Sequence, residues 1–290
     1  MKDFLQPAIG IVGTGNVATR MAVAMVGAGL DVAAVCSRSL EKAEALAARV
    51  DHEKAHHGAN GGTCRATDRI GDLIGCDAVF LCVSDDAVAQ TASRFAQAHQ
   101  ASLQEAAGGD ARGPVLVHTA GSVPMDALRG AAKRYGVVYP LQTLSRDREV
   151  DFTRVPLFVE GSDTETTQWL TTLALVLARD VQILDSERRR QLHLAAVFAC
   201  NFPNHLFGIA EACLRKAGVD RRALQPLIEE TVAKFVENGA VRSQTGPAAR
   251  GDRRVMARHE EMLIDFPQRL QIYKTLSQSI ASQRDENANL

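Results

Sequence analysis

The chain has 290 residues, of which 46% are hydrophobic and 23% charged, an ordinary globular composition that allows one large domain or two modest ones. A formal net charge of -1 and a pI near 6.7 give no basic field, so nucleic acid and anionic membranes are poor candidate partners. No stretch reaches the apolar length of a membrane span and the amino terminus lacks a secretion signal, so we expect a cytoplasmic protein.

The first half of the chain alternates short apolar runs with segments of helical periodicity. Strands are predicted at 8–12, 31–37, 77–83, 114–120 and 135–140, and helices at 16–28 and in LEKAEALAARV. Such near-continuous apolar strands are typical of a parallel sheet that is buried on both faces. Residues 51–66 are polar and rich in glycine, so we expect mostly loop with a brief third strand, and residues 106–113 are expected to be a turn.

The second half changes character near residue 185. One more strand–helix–strand unit is predicted between 155 and 185, and strand signals then stop. Helices are expected from 186 to 217, then at 220–238, 253–264 and 268–283, with the second ended by Asn238-Gly239. Alternating α/β followed by all-helical sequence predicts two domains, 1–184 and 185–290.

Metal binding is not expected. His52, His56 and His57 lie close together in sequence, but no acid or cysteine accompanies them at the tight spacing of metal ligands. The six scattered cysteines include no C-x-x-C pair, and most are expected to be free buried thiols.

A glycine-rich turn follows the first strand. IGIVGTGNVATRMA places Gly13, Gly15 and Ala18 in the G-x-G-x-x-G/A pattern at the start of a helix. Gly13 allows the tight turn, Gly15 lets the backbone approach a pyrophosphate, and a small third residue lets the helix pack closely. The pattern predicts dinucleotide binding, with a plain tight turn as the alternative. The expected contact residues are Gly13, Thr14, Gly15, Asn16 and Val17.

The end of the second strand indicates which dinucleotide is bound. Where an NAD site offers an acid, this sequence has Ser37, Arg38 and Ser39. A guanidinium between two hydroxyls suits a 2′-phosphate, which favours NADP. The alternative is a solvated arginine beside a serine N-cap.

Polar residues also follow three later strands, at the edge where open α/β sheets bind ligands. Val83 and Ser84 are predicted to lie along the nicotinamide-side ribose, and His118, Thr119 and Gly121 follow the next strand. Gln142 opens a hydroxyl-rich loop after the strand at 135–140. Ordinary turn chemistry remains an equal alternative for these loops.

The long helix presents a mostly polar face. His193, Asn201 and Asn204 lie along it at helical spacing, and Pro203 should bend the helix and free a carbonyl. Amides beside a bend suit a ligand site, and the alternative is that polar neighbours satisfy them.

The stretch QTGPAARGD lies between predicted helices. Asp252 is the natural N-cap of the following helix, so a second phosphate cradle is not expected there. Gln244, Thr245 and Arg250 are then free to point outward, and Arg250 could bind a substrate carboxylate or a phosphate. The alternative is a connector with a solvated arginine.

These motifs, with YPLQTLS, VPLFVEG and LHLAAVFACNFPNHL, resemble a family of Rossmann-like NADP oxidoreductases with a C-terminal domain of unknown function. The wider relatives are pyrroline-5-carboxylate reductase, ketopantoate reductase, deazaflavin-dependent NADP reductase and the beta-hydroxyacid dehydrogenases. The resemblance implies an α/β fold in which a Rossmann-type doubly wound sheet precedes an all-helical domain. It also implies hydride transfer in an interdomain cleft, and a homodimer.

One departure from these relatives keeps the substrate class open. The beta-hydroxyacid dehydrogenases and ketopantoate reductases use a lysine of the long helix as proton donor, whereas the lysine found here, Lys216, lies at its far end. His193 or His118 could donate the proton instead, and Asn201 and Asn204 would orient the substrate oxygen. We expect an NADP-dependent oxidoreductase acting on a small carbonyl or imine compound. A reductase that serves a second redox carrier, and an NADP-binding sensor or scaffold without catalysis, are the alternatives.

Overall fold

The computed structural model describes residues 7–58, 62–105 and 113–288, and it divides the chain into two units, residues 1–200 and 201–290. One eight-stranded sheet with the order β3-β2-β1-β4-β5-β6-β7-β8 organises the first unit. The strands are β1 (Ala8–Val12), β2 (Asp31–Cys36), β3 (Arg65–Thr67), β4 (Ala78–Leu81), β5 (Val115–His118), β6 (Tyr135–Pro140), β7 (Leu157–Gly161) and β8 (Val181–Ile183). The expected Rossmann-type sheet is confirmed.

Strand direction brings the candidate residues to one edge of the sheet. β1 to β6 run parallel, β7 is antiparallel to β6, and β8 is parallel to β7. The carboxyl ends of β1, β2, β4, β5 and β6 therefore share an edge, and ligands bind at this edge in open α/β sheets.

Five helices cover the sheet of the first unit. They are α1 (Asn16–Gly27), α2 (Leu40–His57), α3 (Val88–Glu105), α4 (Thr164–Leu177) and α5 (Ser186–Ala196). One buried cluster joins α1, α2 and α4 to the sheet, and a second includes the buried side chains of α3. On α4, Leu170, Leu173 and Leu177 recur at spacings of three and four, which puts them on one buried face.

The expectation of a loop over residues 51–66 was wrong for its first part. α2 continues to His57 and ends at Gly58, whose left-handed φ of 60° closes the helix. Lys54 donates to Asp31 over 2.7 Å, which ties the last turns of α2 to the sheet. The brief third strand is confirmed as β3, and residues 106–112 of the expected turn lie outside the described residues.

The first compact unit runs to residue 200 and includes α5, which packs with the sheet, while the predicted domains 1–184 and 185–290 stay a prediction. The fully buried side chain of Arg189 forms an ion pair with Glu160 of β7 and donates to the carbonyl of Val123 over 2.6 Å. A buried arginine is stable only with such partners, so these bonds fix α5 on the sheet.

The second unit is helical. A π-helical turn, Val197–Asn201, spans the division and precedes Pro203, whose missing N–H cannot continue the regular helical bonding. The helices are α6 (Phe202–Ala217), α7 (Gln225–Ser243), α8 (Pro247–Arg250), α9 (Arg253–Met262) and α10 (Pro267–Ala288). The predicted stop at Gly239 is a break within α7, where its φ is 76°. Within the described ranges, no helix has the length and apolar character needed to cross a membrane.

Candidate functional site

Gly13 sits where three strands meet. Its amide donates to the carbonyl of Cys36 over 2.8 Å, and its φ is 112°. A Cβ atom placed on Gly13 would lie 2.3 Å from the carbonyl oxygen of Cys82. Only glycine fits here, because the turn needs both a positive φ and close backbone contact.

The amino terminus of α1 is an open anion cradle. Gly15 precedes the helix with no side-chain cap, and the first turn carries no acidic residue. The first intrahelical bond is donated by Thr19 to Gly15 over 2.9 Å, so the amides of Asn16, Val17 and Ala18 have no intrahelical acceptor. A Cβ atom on Gly15 would meet no described atom within 4 Å. Amides without an acceptor at a helix start, with open space beside Gly15, fit a dinucleotide pyrophosphate.

The residues after β2 divide into structural and available groups. The Ser37 hydroxyl accepts from the amide of Ser39, and the Ser39 hydroxyl accepts from the amide of Lys42, each over 3.4 Å. Ser39 is therefore the N-cap of α2. Arg38 is exposed and forms no ion pair with any described residue, so its guanidinium is available to a phosphate.

The residues after β4 and at the end of β5 line the same edge. Val83 is half-buried and Ser84 is exposed, whereas Thr119 is buried beside the Cys82 thiol. Burial raises the pKa of Cys82 to about 12, so this thiol stays protonated and is a poor nucleophile.

His118 is unsuited to donate a proton. The ring has no exposed surface, and its Nδ1 accepts from the amide of Ala120 over 3.2 Å. Burial, reinforced by the charge of Arg189, lowers the pKa of His118 from 6.5 to about 3. The ring is therefore neutral near pH 7 and shielded from ligands.

His193 lies beside the carboxyl ends of β5 and β6. Its Nδ1 is 3.1 Å from the hydroxyl of Tyr139, and the two rings meet edge to face with centroids 6.0 Å apart. Gly121 packs against both rings, since a Cβ atom there would lie 2.6 Å from Nδ1 of His193 and 2.8 Å from Cζ of Tyr139. The structure thus brings together two residues singled out from sequence and one that was missed.

A hydrogen-bond network holds this group in place. The Ser186 hydroxyl donates to Glu160 over 2.7 Å and accepts from the amide of Met125 over 2.8 Å, so the start of α5 is fixed to the sheet. The Ser122 hydroxyl, next to Gly121, donates to Asp85. Burial, followed by the charge of Asp85, raises the pKa of Tyr139, so its hydroxyl stays protonated at neutral pH.

Tyr139 was missed because tyrosine at the end of an apolar strand usually signals packing. The available signal was its place in YPLQTLS, directly before the loop that holds Gln142. Gln142 itself is exposed, and its side-chain oxygen accepts from the amide of Thr143 over 2.8 Å. That bond leaves the NH₂ group of Gln142 for a ligand.

The remaining candidates belong to the second unit. Asn201 ends the π-helical turn, and Asn204 is exposed on α6. Gln244 donates to the carbonyl of Thr245 over 2.9 Å, and Arg250 is exposed at the end of α8. Asp252 accepts from the amide of Val255 over 3.1 Å, which confirms it as the N-cap of α9.

This unit also contains an apolar pocket of about 380 Å³. Thr245 lines it, as do His259 and Tyr273, which share a hydrogen bond of 2.9 Å. Lys216 lies 5.7 Å from the ring centroid of Phe266, a cation–π contact. Within the described chain, no group of three or more histidine, cysteine or acidic residues is arranged to hold a metal ion.

Two family models match the chain. Residues 8–104 match the NADP oxidoreductase, coenzyme F420-dependent family, and residues 155–280 match a domain of unknown function, DUF2520. None of the curated proteins matches this sequence.

Several solved structures are similar over nearly the whole chain. A "putative NADP oxidoreductase" from Bacteroides fragilis is 35% identical with a TM-score of 0.83, covering 96% of this chain and 99% of that one. A protein from Thermotoga maritima is 18% identical with a TM-score of 0.71, covering 96% and 100%. A pyrroline-5-carboxylate reductase from Coxiella burnetii is 16% identical with a TM-score of 0.50, covering 95% and 98%.

Proposed function

The chain belongs to the family that joins an NADP oxidoreductase domain to a DUF2520 domain, and from this membership we propose that it is an NADP-dependent oxidoreductase. The proposed substrate is a small carbonyl or imine compound, or its reduced form. One observation carries the proposal: His193 and Tyr139 lie at the same edge of the sheet as the glycine cradle.

The cofactor assignment is supported by two features of this edge. The free amides at the start of α1 suit the pyrophosphate, and the exposed Arg38 suits a 2′-phosphate better than a 2′-hydroxyl. When bound, the nicotinamide cofactor supplies or accepts the hydride. Val83, Ser84, Thr119 and Gly121 are proposed to line the path from the cradle to the nicotinamide.

His193 is proposed as the proton donor in carbonyl reduction. Its Nδ1 is engaged by Tyr139, and no other hydrogen bond of this ring forms within the described residues, so Nε2 can face the substrate. If a bound cofactor delivered a hydride to the substrate carbon, the protonated imidazole would give one proton from Nε2 to the oxygen, which yields the alcohol and leaves the ring neutral. Tyr139 is a positioning residue, because it orients the imidazole through the 3.1 Å bond.

The second unit is proposed to contribute the substrate contacts. Asn201 and Asn204 offer exposed amides that could orient the substrate oxygen, and Arg250 offers a guanidinium for a carboxylate. Gln244 and Thr245 precede the turn that presents Arg250.

A second candidate is transfer of the hydride between NADP and another redox carrier. The matched family is described as coenzyme F420-dependent, which favours a carrier with a deazaflavin-like ring. Mixing the purified protein with NADPH and either 2-keto acids, cyclic imines, flavins or a deazaflavin separates the candidates through NADPH absorbance. We expect NADPH to be oxidised when a carbonyl or imine compound is the acceptor. Turnover with the carriers alone would favour the second candidate, and tight NADPH binding without any turnover would favour a sensor.

We also propose that the protein is a homodimer assembled through the second unit. None of the 19 residues of α7 is buried, although the helix carries apolar side chains. The large apolar side chains of α7 that are more than half exposed are Leu227, Val232, Phe235, Val236 and Val241. An apolar helix left uncovered by its own chain indicates an interface. The proposed partner is another copy, because a unit that buries so little needs a partner that is always present.

A further inference from the structure

A pocket of the first unit adjoins the glycine cradle and has no role in the chemistry described above. It has a volume of about 150 Å³, and its lining residues are Thr14, Thr19, Lys42, Ala45, Leu46, Arg49 and Arg146. A single water needs roughly 10–15 Å³, so this space suits a larger group.

The pocket is cationic and its charges are not neutralised. Lys42, Arg49 and Arg146 all line it, and no carboxylate of the described residues lies within the 4.0 Å of an ion pair with any of them. Of the acids of the same helix, Glu41 and Glu44 are exposed and form no such pair, whereas Asp51 accepts from the amide of Cys64 and Glu53 pairs with His57. Three unpaired cations around one cavity attract an anion.

Hydrogen bonds to backbone carbonyls orient Arg49 and Arg146 before any ligand binds. Arg146 donates from Nη2 to the carbonyl of Thr14 over 2.7 Å, and Arg49 donates from Nη1 to the carbonyl of Arg146 over 3.2 Å. Nε of the buried Arg20 donates to the carbonyl of Ser145 over 2.9 Å and steadies the same loop. A guanidinium has five N–H groups, so Arg49 and Arg146 keep free donors for a ligand.

We propose that this pocket binds the 2′-phosphate that distinguishes NADP from NAD, with Arg49 and Arg146 as specificity-determining residues. The inference rests on the proposed function. Thr14 belongs to the glycine turn, and Lys42 lies one helical turn beyond Arg38, so the pocket borders both segments that would hold the adenosine half. A phosphate dianion satisfies several fixed guanidinium donors at once. Recognition then extends beyond Arg38 to the loop after β6.

Calorimetric titration of wild type, Arg49→Ala and Arg146→Ala with NADPH and with NADH tests the inference. We expect each substitution to weaken NADPH by about tenfold to hundredfold, as for loss of a charge-assisted hydrogen bond, and to leave NADH within about twofold. Arg148→Ala is the matched control, because Arg148 is exposed in the same loop and lies outside the pocket lining. It should bind both nucleotides like wild type.

Two additional probes separate the sources of an anion. 2′,5′-ADP should lose affinity in both variants while 5′-AMP does not, and inorganic phosphate should compete with NADPH. Phosphate that binds without competing would mark an independent anion site and overturn the assignment. Equal losses for NADH and NADPH would show that Arg146 only supports the glycine turn, and Arg49→Ala, which leaves the Thr14 bond intact, guards against that confusion.

The proposed function and the 2′-phosphate assignment are refuted by different results. Unchanged NADPH affinity in both variants refutes this inference and leaves the proposed function standing. Absence of any nucleotide binding by wild type refutes the proposed function and this inference with it. Melting temperatures of every variant establish that the compared proteins are folded.

Discussion

The sheet unit and the helical unit differ most in what each buries. The sheet unit encloses fully buried side chains such as Ile9, Met21 and Phe80 in continuous clusters. In the described part of the helical unit, Ala248 and Ser277 are the buried residues. The first unit therefore has a core that can stabilise it alone, whereas the second needs additional contacts to be stable.

This difference separates two kinds of functional residue. The glycine cradle and the His193–Tyr139 pair are held by backbone and partly buried side-chain hydrogen bonds, so their geometry is set by the fold of the first unit. Asn204 and Arg250 are exposed side chains on helices, and only a ligand or a partner would fix them. Preorganised groups suit the chemical step, and the exposed ones suit substrate binding.

The largest effect is expected at the proton donor, which locates the chemistry in the sheet unit. His193→Gln should lower kcat by about 10²–10⁴-fold, the usual contribution of general acid catalysis, with NADPH affinity unchanged. Tyr139→Phe should lower kcat about tenfold, because the variant lacks the hydrogen bond that orients the imidazole of His193. Steady-state kinetics with the active acceptor measure both.

The matched variant for this comparison is Asn204→Ala in the helical unit, which should raise KM more than it lowers kcat. A full loss of kcat in Asn204→Ala together with an active His193→Gln would reverse the proposed roles.

Gly13→Ala tests whether the cradle is part of the core of the sheet unit. Adding a Cβ at a φ of 112° and 2.3 Å from the carbonyl oxygen of Cys82 forces the backbone to shift. We expect a loss of roughly 3 kcal/mol or more in the free energy of unfolding, from backbone strain and overpacking combined. Denaturant titration gives the value. Wild-type stability would show that the turn is looser than described.

Val236→Asp addresses the exposed face of the helical unit. The Val236 side chain is 75% exposed in a single chain, so the substitution should change the free energy of unfolding little unless a second copy covers this position. We expect the dimer dissociation constant to rise about hundredfold, since a charge would be buried in an apolar interface. Analytical ultracentrifugation measures this constant. Glu237→Asp, at an adjacent position on the same helix, is the control. A wild type that is monomeric at all concentrations contradicts the proposal.

The titration of His118 should have a smaller effect, on the pH dependence of the stability of the sheet unit. Its folded-state pKa of about 3 lies below the ordinary 6.5, so between these values the unfolded chain binds more protons and stability rises with pH. Lowering the pH from 7 to 5 should therefore cost about 2 kcal/mol through this residue. Unfolding curves at the two pH values should show a shallower dependence for His118→Asn. An identical dependence would place the ring in a more polar site.

Sequence alone predicted the sheet unit well and the details of its site less well. Gly13 and Gly15 could be assigned because a turn that binds phosphate requires glycine at fixed spacing. The end of α2 was missed because the polar residues between Asp51 and His57 carry little hydrophobic periodicity, while the ion pair between Lys54 and Asp31 helps to hold that turn.

Tertiary contacts explain the remaining differences. His118 and His193 were equivalent candidates in the sequence, and only burial separates them. The roles of Tyr139 and Arg146 depend on contacts that the sequence does not show, because the end of β6 contacts α5 and the loop after β6 reaches the glycine turn. Arg189 reads in the sequence as one member of a charged run, and yet it is completely buried in the fold.

The most direct test of the account is calorimetric titration of NADPH into wild type and Gly15→Ala. Since a Cβ on Gly15 meets no described protein atom and its φ is -77°, the variant should melt like wild type. We predict saturable binding of about one NADPH per chain in wild type and an affinity at least about tenfold weaker in the variant, because the methyl group would occupy the pyrophosphate position. Equal affinities for the two proteins, or no heat from wild type, would contradict the account.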